Sequence, residues 1–253
     1  MLRAVLFDFN GVLVDDEPIH LELFQRVLGE AGVELRAKEY YRRYLGFDDR
    51  GCFSAVLAAA GRPAGPAAIA RLVARKAAYY RERIRRDGYP FFPGGAELVR
   101  EAAGRGWVLG VVSGALRDEV EGALRQAGLR DAFKLVVTAE DVAEGKPDPE
   151  GYRLALEGLN GRPPLPSRLV HPHEALAVED SPAGLEAAAA AGLAAIAVAN
   201  TYPAAELAGA AEVLESLAGV GADRLEAIHG RIAGGPAEAE AATGAAPARE
   251  AAR

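Results

Sequence analysis

The hydrophobic positions along the chain follow two different patterns. Residues 4–7 form a short unbroken apolar run, which is typical of a strand buried on both faces of a parallel sheet. From residue 16 to residue 88 the apolar residues instead recur at helical spacing, and runs of β-branched residues are absent. This second stretch is therefore predicted to be a separate helical module, a cap.

Beyond a turn-rich segment at residues 89–95, helical and strand-like stretches alternate. Such alternation predicts right-handed crossovers and a parallel sheet with helices on both faces. The fold class is therefore predicted to be α/β, a doubly wound parallel-sheet (Rossmann-like) core with an inserted α-helical cap. The predicted strands after the first are 107–112, 134–137, 175–178 and 194–199, and the predicted helices lie near 95–104, 116–127, 149–158 and 182–191.

The predicted domains follow from these patterns. Residues 1–15 and 89–232 form the core, and residues 16–88 form the cap. Residues 233–253 are predicted to be a disordered tail, because they consist mainly of alanine, glycine, proline and glutamate without aromatic residues. Since the cap is inserted at the carboxyl end of a strand, where the ligand crevice of such a sheet forms, we expect it to cover that crevice.

Composition narrows the class of protein. The chain has 253 residues, is 50% hydrophobic and carries a formal net charge of −7, which argues against nucleic acid as a partner. A single cysteine, Cys52, excludes an intrachain disulfide and is interpreted as a small core residue. No apolar run is long enough to span a membrane, and no secretory leader pattern precedes residue 8. A cytoplasmic protein without membrane association is expected.

Four polar clusters stand at or just after the ends of predicted strands. They are DFNGV at residues 8–12, SG at 113–114, GKPDP at 145–149 and EDS at 179–181. The carboxyl ends of parallel strands share one edge of the sheet, so these side chains are expected to meet there. A strand-end carboxylate beside a glycine can attack phosphorus and form an aspartyl-phosphate, which makes Asp8 the candidate nucleophile. The alternative is an ordinary strand-end residue forming an Asx turn.

The same clusters predict a metal site. A phosphoryl group would repel an attacking carboxylate, so the site needs a hard cation bound by oxygen ligands, and Mg²⁺ is the expected ion. Its candidate ligands are Asp8, the main-chain carbonyl of Asn10, and Asp180, with Glu179 as a direct or indirect partner. The alternative for Glu179 and Asp180 is a role in capping the helix that begins near residue 182.

The segment FDFNGVLVD at residues 7–15, followed by Glu17-Pro18, resembles the first signature of the haloacid dehalogenase (HAD) superfamily. The order and spacing of the other clusters and the position of the cap are similar to subfamily I enzymes related to β-phosphoglucomutase and phosphoglycolate phosphatase, over residues 3–208. Lys146, Ser113 and Gly114 match the phosphate-binding positions of that family, where an ammonium, a hydroxyl and main-chain N–H groups stabilise the phosphoryl oxygens. Otherwise Lys146 would belong to an ordinary surface loop.

One catalytic position departs from the family pattern. In the family's phosphatases the residue two past the nucleophile is an aspartate that protonates the leaving oxygen and later activates water, whereas this chain has Asn10. A carboxamide cannot shuttle a proton, and loss of general acid-base catalysis typically costs about 10² to 10⁴ in rate. Asn10 is also followed by Gly11, a pair prone to deamidation because glycine leaves its nitrogen unhindered.

Three hypotheses follow for a chain with asparagine at this position. In the first, hydrolysis uses a substitute acid from the start of the cap, for which the candidates are Asp15, Asp16, Glu17 and His20. In the second, the substrates are acyl phosphates, whose leaving groups need no proton. In the third, the protein binds a phosphorylated ligand and turns it over negligibly. A phosphoglucomutase-like transfer is less favoured because it needs the missing aspartate. Haloacid dehalogenation is less favoured still. That reaction does not require Mg²⁺, so the predicted metal ligands would have no role in it.

The cap carries a run of basic residues, most of which are interpreted as a solvated helix face. Lys76 is the exception, because its spacing places it on the apolar face, and together with Tyr80 it resembles a Lys/Tyr arrangement of the mutase relatives. His20 and Lys76 are therefore the candidate substrate contacts of the cap. The expected partner is a small phosphorylated metabolite, and the sequence does not specify an oligomeric state.

Overall fold

The structure, a computed structural model, describes residues 1–233, so all but the first residue of the predicted disordered tail lies outside the described residues. The described chain divides into two compact units: a core unit of residues 1–13 and 92–233, and a cap unit of Val14–Phe91. The cap unit is slightly longer than the predicted cap, because Val14 and Phe91 form an antiparallel bridge that pairs the two ends of the insertion.

Six parallel strands form the sheet of the core unit in the described chain, in the order β3-β2-β1-β4-β5-β6. The predicted fold class is confirmed. β1 is buried along its whole length, as its unbroken apolar run indicated. The strands are β1 Ala4–Phe7, β2 Val108–Val112, β3 Phe133–Val137, β4 Ala175–Glu179, β5 Ala194–Val198 and β6 Val213–Leu214.

Nine α-helices lie in the described residues, four in the cap unit and five in the core unit. None of these helices is long and apolar enough to cross a membrane. The helices are α1 Glu17–Glu30, α2 Ala37–Arg43, α3 Asp49–Ala59, α4 Pro66–Asp87, α5 Gly95–Gly104, α6 Arg117–Gln126, α7 Glu150–Gly161, α8 Pro182–Ala190 and α9 Ala222–Ala233.

The strand order places a topological switch point between β1 and β4. Phe7, the last residue of β1, pairs with Val111 of β2 on one side and with Val178 of β4 on the other. Connections leave the two sides of β1 in opposite directions, so a crevice opens beyond the carboxyl ends of these strands. The residues that follow β1 and β4 therefore face the crevice together.

Helix α7 packs on the sheet through Tyr152, Ala155 and Leu159, which are fully buried. It extends to Gly161, three residues further than predicted, because the side chain of Asn160 anchors its last turn. The Asn160 amide donates to Leu156 O and Val170 O, and its oxygen accepts from Val170 N. These hydrogen bonds of Asn160 stabilise the last turn of the helix, next to the proline-rich segment that follows.

The cap unit has its own hydrophobic core of aromatic and aliphatic side chains. Phe24 of α1 packs edge-on against Phe53 of α3, with ring centroids 5.0 Å apart, and contacts Tyr40 of α2. Cys52 is fully buried in this cluster, and burial raises the pKa of its thiol to about 12. A neutral thiol in an apolar core agrees with the interpretation of Cys52 as a core residue.

Gly94 gives the first testable prediction. Its φ is +87°, and a Cβ there would overlap the main-chain carbonyl of Leu217, so Gly94→Ala should lower the free energy of unfolding by more than about 1 kcal/mol. The fluorescence of Trp107, the only tryptophan of the chain, reports unfolding of the core unit in urea. Gly104→Ala is the matched control, because open space surrounds that position at the end of α5. Equal losses in the two variants would contradict the prediction.

Candidate active site

Asp8 is the first residue beyond β1, and its main chain continues the parallel ladder. Asp8 N donates to Val178 O at 2.9 Å, which fixes the backbone at the switch point. The carboxylate of Asp8 is largely buried and lies 2.9 Å from the ammonium of Lys146. The sheet thus presents this carboxylate at the carboxyl edge, where the sequence predicted it.

Lys146 reaches the sheet edge from the loop between β3 and α7. Its Nζ lies 2.9 Å from Asp8 Oδ1 and donates to Glu179 Oε1 at 2.6 Å and to Val112 O at 3.0 Å. Burial alone would lower the pKa of Lys146, but the charges of Asp8 and Glu179 outweigh burial and raise the pKa above its usual value. The ammonium is therefore permanently charged, and its three contacts fix its position between two carboxylates.

Glu179, the last residue of β4, has no exposed surface and acts as an internal anchor. Its Oε1 accepts from Lys146 and also from the hydroxyl of Tyr152 at 2.5 Å. Burial and the charge of Asp8 raise its pKa, against the opposing effect of Lys146. Gly184 in the first turn of α8 makes room for it, because a Cβ there would overlap the carboxylate of Glu179.

Asp180 completes a cluster of three buried carboxylates. Ligand oxygens of Asp8, Glu179 and Asp180 lie within 4.8 Å of one another. Burial raises the pKa of Asp180 well above its usual value, and the charges of Asp8 and Glu179 act in the same direction. The single ammonium of Lys146 balances only one of these charges. Oxygen donors that repel one another in this way suit a hard divalent cation, so the residues fit such an ion.

The loop after Asp8 packs closely against the residues that follow β5. Gly11 has a φ of +77°, and a Cβ there would overlap Asp180 and come within 2.6 Å of Thr201 Oγ1. Asn200 donates from Nδ2 to Gly11 O at 2.8 Å, and the Thr201 hydroxyl hydrogen-bonds Asp180. Both the backbone conformation and the available space therefore require glycine at this position.

Ser113 and Asn10 lie side by side. Ser113 follows β2, where its N–H donates to Val137 O at 2.9 Å and its Oγ accepts from Ala115 N at 3.0 Å. The Ser113 hydroxyl lies 3.5 Å from Asn10 Oδ1, at the outer limit of a hydrogen bond. Gly114 comes next in the chain, and a Cβ added there would meet no atom within 4 Å. A hydroxyl and a main-chain amide are thus available at the end of β2.

The core unit brings most of the predicted site residues together at one edge of the sheet, although the role of each residue stays a prediction. Sequence reasoning missed three residues that position them: Tyr152, Asn200 and Thr201. Asn200 and Thr201 come almost directly after β5, so the search for polar residues after strand ends could have found them. Tyr152 lies on the apolar face of a helix and gave no such signal.

The two predicted cap residues contact each other within the cap unit. Lys76 is only 1% exposed, and its ammonium lies 2.7 Å from His20 Nδ1 and forms an ion pair with Asp49. An ammonium can only donate, so His20 Nδ1 accepts and the ring carries its proton on Nε2. Nε2 lies 3.2 Å from Asp16 Oδ2, which also accepts from Tyr80 at 2.8 Å. This network fixes the orientation of the His20 ring.

The hydrogen bonds at the start of the cap unit also involve the residues predicted as substitute acids. The carboxylate of Asp16 is buried and already accepts two hydrogen bonds, and Glu17 accepts from the hydroxyl of Tyr40. Asp15 differs, because burial raises the pKa of its carboxyl and the charge of Asp16 raises it further. A raised pKa favours proton donation nearer neutral pH, so Asp15 stays a predicted candidate for the substitute acid.

Comparison with known proteins places this geometry in a family. The family model of haloacid dehalogenase-like hydrolases matches residues 2–192. The chain belongs to this family. The predicted family and the predicted enzyme class, a hydrolase of phosphoric monoesters, are confirmed.

Three relatives illustrate the likeness. Validoxylamine A 7'-phosphate phosphatase of Streptomyces hygroscopicus subsp. limoneus is 32% identical, over 86% of this chain and 95% of that protein. Phosphorylated carbohydrates phosphatase of Thermotoga maritima is 29% identical, over 76% of this chain and 82% of that protein. An aspartate-to-asparagine variant of CbbY from Rhodobacter sphaeroides, crystallised with xylulose-(1,5)bisphosphate, is 31% identical, covers 89% of this chain and 99% of that chain, and superposes with a TM-score of 0.76.

The buried hydroxyl of Tyr152 gives a prediction for this site. Tyr152→Phe removes a hydrogen bond to the charged Glu179 and should lower the free energy of unfolding by about 1.5 to 3 kcal/mol, measured by urea denaturation and circular dichroism. Tyr79→Phe is the matched control, because Tyr79 makes the same kind of bond to Glu30 at an exposed site and should cost about 0.5 kcal/mol or less. A loss at Tyr152 no greater than the control would show that the hydroxyl does not stabilise Glu179.

Proposed function

We propose that the protein is a Mg²⁺-dependent phosphatase that hydrolyses a small phosphorylated sugar or sugar-like compound through an aspartyl-phosphate on Asp8. The observation that carries this proposal is the cluster of three buried carboxylates within 4.8 Å, bridged at one side by the Lys146 ammonium. A buried nucleophile beside a fixed cation and surplus oxygen ligands has the features that phosphoryl transfer requires.

The names of the relatives support the class of substrate. One acts on validoxylamine A 7'-phosphate, one on phosphorylated carbohydrates, and one was crystallised with a sugar bisphosphate. Each is a small polar molecule that carries a phosphoryl group. Choice among such compounds belongs to the residues that contact the part of the substrate beyond the phosphoryl group, for which His20 and Lys76 are the candidates.

In the proposed mechanism, the Asp8 carboxylate attacks phosphorus, and its bond to phosphorus forms as the bond to the leaving oxygen breaks. Lys146 orients the nucleophile and offsets the charge on the phosphoryl oxygens, and Ser113 with the main chain of Gly114 donates to those oxygens. Water then hydrolyses the aspartyl-phosphate and restores Asp8. A Mg²⁺ ion bound by Asp8, Asp180 and the carbonyl of Asn10, with Glu179 nearby, would supply further neutralisation of charge.

Asn10 limits this mechanism at proton transfer. The leaving oxygen needs a proton and the attacking water must lose one, and a carboxamide can do neither. The same residue favours a second candidate function, a phospho-ligand binder with little turnover. A CbbY variant with asparagine in place of one aspartate holds a sugar bisphosphate in its crystal structure, so a protein of this family with such a substitution can bind a phosphorylated ligand.

Turnover distinguishes the two functions. Phosphate release from a panel of sugar phosphates and an acyl phosphate should vanish in Asp8→Asn, because the nucleophile is lost, and should rise by about 10²- to 10⁴-fold in Asn10→Asp, because the proton donor is restored. Glu157→Gln, which alters an exposed carboxyl of α7, serves as the control and should leave the rate unchanged.

Each outcome of that assay has a distinct meaning. If parent protein shown by mass spectrometry to carry Asn10 turns over and Asp8→Asn does not, the chain is a phosphatase with another acid or a good leaving group, and Asp15→Asn tests one cap candidate. If only Asn10→Asp turns over, the form of the chain that carries Asn10 is a binder. Equal rates in Asp8→Asn and the parent would rule out Asp8 as the nucleophile.

Metal binding gives an independent prediction. A ligand that binds only the native state stabilises it, by about 2.7 kcal/mol at a hundred times its Kd, so Mg²⁺ should raise the melting temperature of the parent protein. Asp180→Asn should lose this rise, while Glu157→Gln should keep it. Without Mg²⁺, Asp180→Asn should be no less stable than the parent, since it removes one of three carboxylates that repel one another. An undiminished rise in Asp180→Asn would exclude Asp180 as a ligand.

A further inference from the structure

The chain contains three asparagines, and two of them, Asn10 and Asn160, are followed by glycine. Both pairs can deamidate, because a glycine nitrogen meets no side-chain hindrance when it attacks the preceding amide. The two pairs lie in different backbone settings, so the structure provides one test pair and one internal reference.

Asn160 lies in the last turn of α7 and is held in place. Its amide donates to Leu156 O at 3.1 Å and to Val170 O at 3.0 Å, and its oxygen accepts from Val170 N at 2.8 Å. The helical backbone also directs the following N–H along the helix axis, toward a carbonyl four residues earlier and away from the side chain. Cyclisation at Asn160 therefore requires the end of the helix and three hydrogen bonds to break.

Asn10 lies outside any helix, in an isolated β-bridge position directly before the turn at residues 11–13, and is only partly buried. Gly11 has a φ of +77°, and the carboxylate of Asp180 occupies the space where a side chain would be. The site therefore demands the residue type that makes the preceding asparagine reactive. The Ser113 hydroxyl, 3.5 Å from Asn10 Oδ1, is placed to stabilise the charge that develops on that oxygen during attack.

We infer that Asn10 is a site of spontaneous deamidation, and that the aspartate it produces is the acid-base group of the mature enzyme. The second half of this inference rests on the proposed phosphatase function, whereas the first half does not. On this view the chain is made in a slow form and gains its proton-transfer group by its own chemistry.

The reaction is balanced without any co-reactant except water. The main-chain nitrogen of Gly11 bonds to Cγ of Asn10, the bond from Cγ to Nδ2 breaks, and ammonia leaves with the proton lost by the attacking nitrogen. Water then opens the resulting succinimide at one of its two carbonyls. Opening at the main-chain carbonyl gives isoaspartate. Opening at the side-chain carbonyl restores the normal main-chain linkage and leaves an aspartate at position 10.

The experiment follows labelled oxygen in the full-length protein. Freshly purified protein is incubated at mildly alkaline pH in oxygen-18 water, and proteolytic peptides that contain the two Asn-Gly pairs are analysed by mass spectrometry. Each deamidation incorporates one oxygen from water, so conversion before and during incubation can be separated. The Asn10 peptide is expected to gain label at least about tenfold faster than the Asn160 peptide, because the end of α7 must unwind before Asn160 can cyclise. The urea-unfolded chain, in which both pairs are free to react, verifies detection.

Activity is measured on the same samples. Phosphate release should increase in proportion to the aspartate fraction and approach the rate of Asn10→Asp, about 10²-fold or more above the fresh protein. Asn10→Gln is the matched control, because glutamine keeps the carboxamide but cyclises through a larger ring and much more slowly. Its rate should not increase during incubation.

Three results would overturn the inference or part of it. No label at Asn10 in the folded protein, with label in the unfolded chain, shows that the site does not deamidate. Label at Asn10 without a gain in rate, while Asn10→Asp is active, shows that isoaspartate forms and that self-activation is wrong. An inactive Asn10→Asp defeats the phosphatase proposal and with it the self-activation, while the oxygen label still decides whether Asn10 is modified.

Discussion

The ammonium of Lys146 lies between the carboxylates of Asp8 and Glu179, and the site depends on these buried charges being compatible. An isolated buried carboxylate would lose its solvation and take up a proton. The ion pairs with Lys146 and the hydroxyl of Tyr152 offset that loss, and the main-chain oxygen of Val112 holds the ammonium in place. The compensation is incomplete at Asp180, whose pKa is raised well above its usual value, and a divalent cation is the natural complement of the remaining charge.

Space is the second constraint on this edge of the sheet. Two glycines, Gly11 and Gly184, stand where a side chain would overlap Asp180 and Glu179 respectively. Because these glycines have no Cβ, the main chain can approach the two carboxylates closely. At such positions substitution would alter charge placement as well as packing, so the tolerance of the site to change is expected to be low.

With asparagine at position 10, the charge cluster can form although the side chain cannot transfer a proton. The arrangement of Asp8, Lys146, Glu179 and Asp180 does not need an ionisable side chain at residue 10, because the expected contribution of Asn10 to metal binding comes from its main chain. Under the proposed function, binding and nucleophilic attack would therefore be retained while proton transfer is weakened. In the cap unit, Lys76 and Asp16 both contact the ring of His20.

The sequence by itself determined the order of elements, the parallel α/β class, the family and the clusters after the strand ends. These features are local: an unbroken apolar run predicts a buried strand, and a polar residue directly after it predicts a place at the sheet edge. The sequence patterns did not predict β6 or α9. β6 has only two residues, both half-buried, so its pattern is too short to detect.

Only the tertiary structure decided which side chains hold the charges in place. Tyr152 reaches Glu179 from a helix face that looks like ordinary core, and Lys76 is buried beside His20 and Asp49. Asn200 supports Gly11 from the segment that follows β5. Such contacts join residues distant in the chain, and their strength depends on burial and on distances of a few ångströms. No periodicity or motif encodes either quantity, because both arise only when the elements pack.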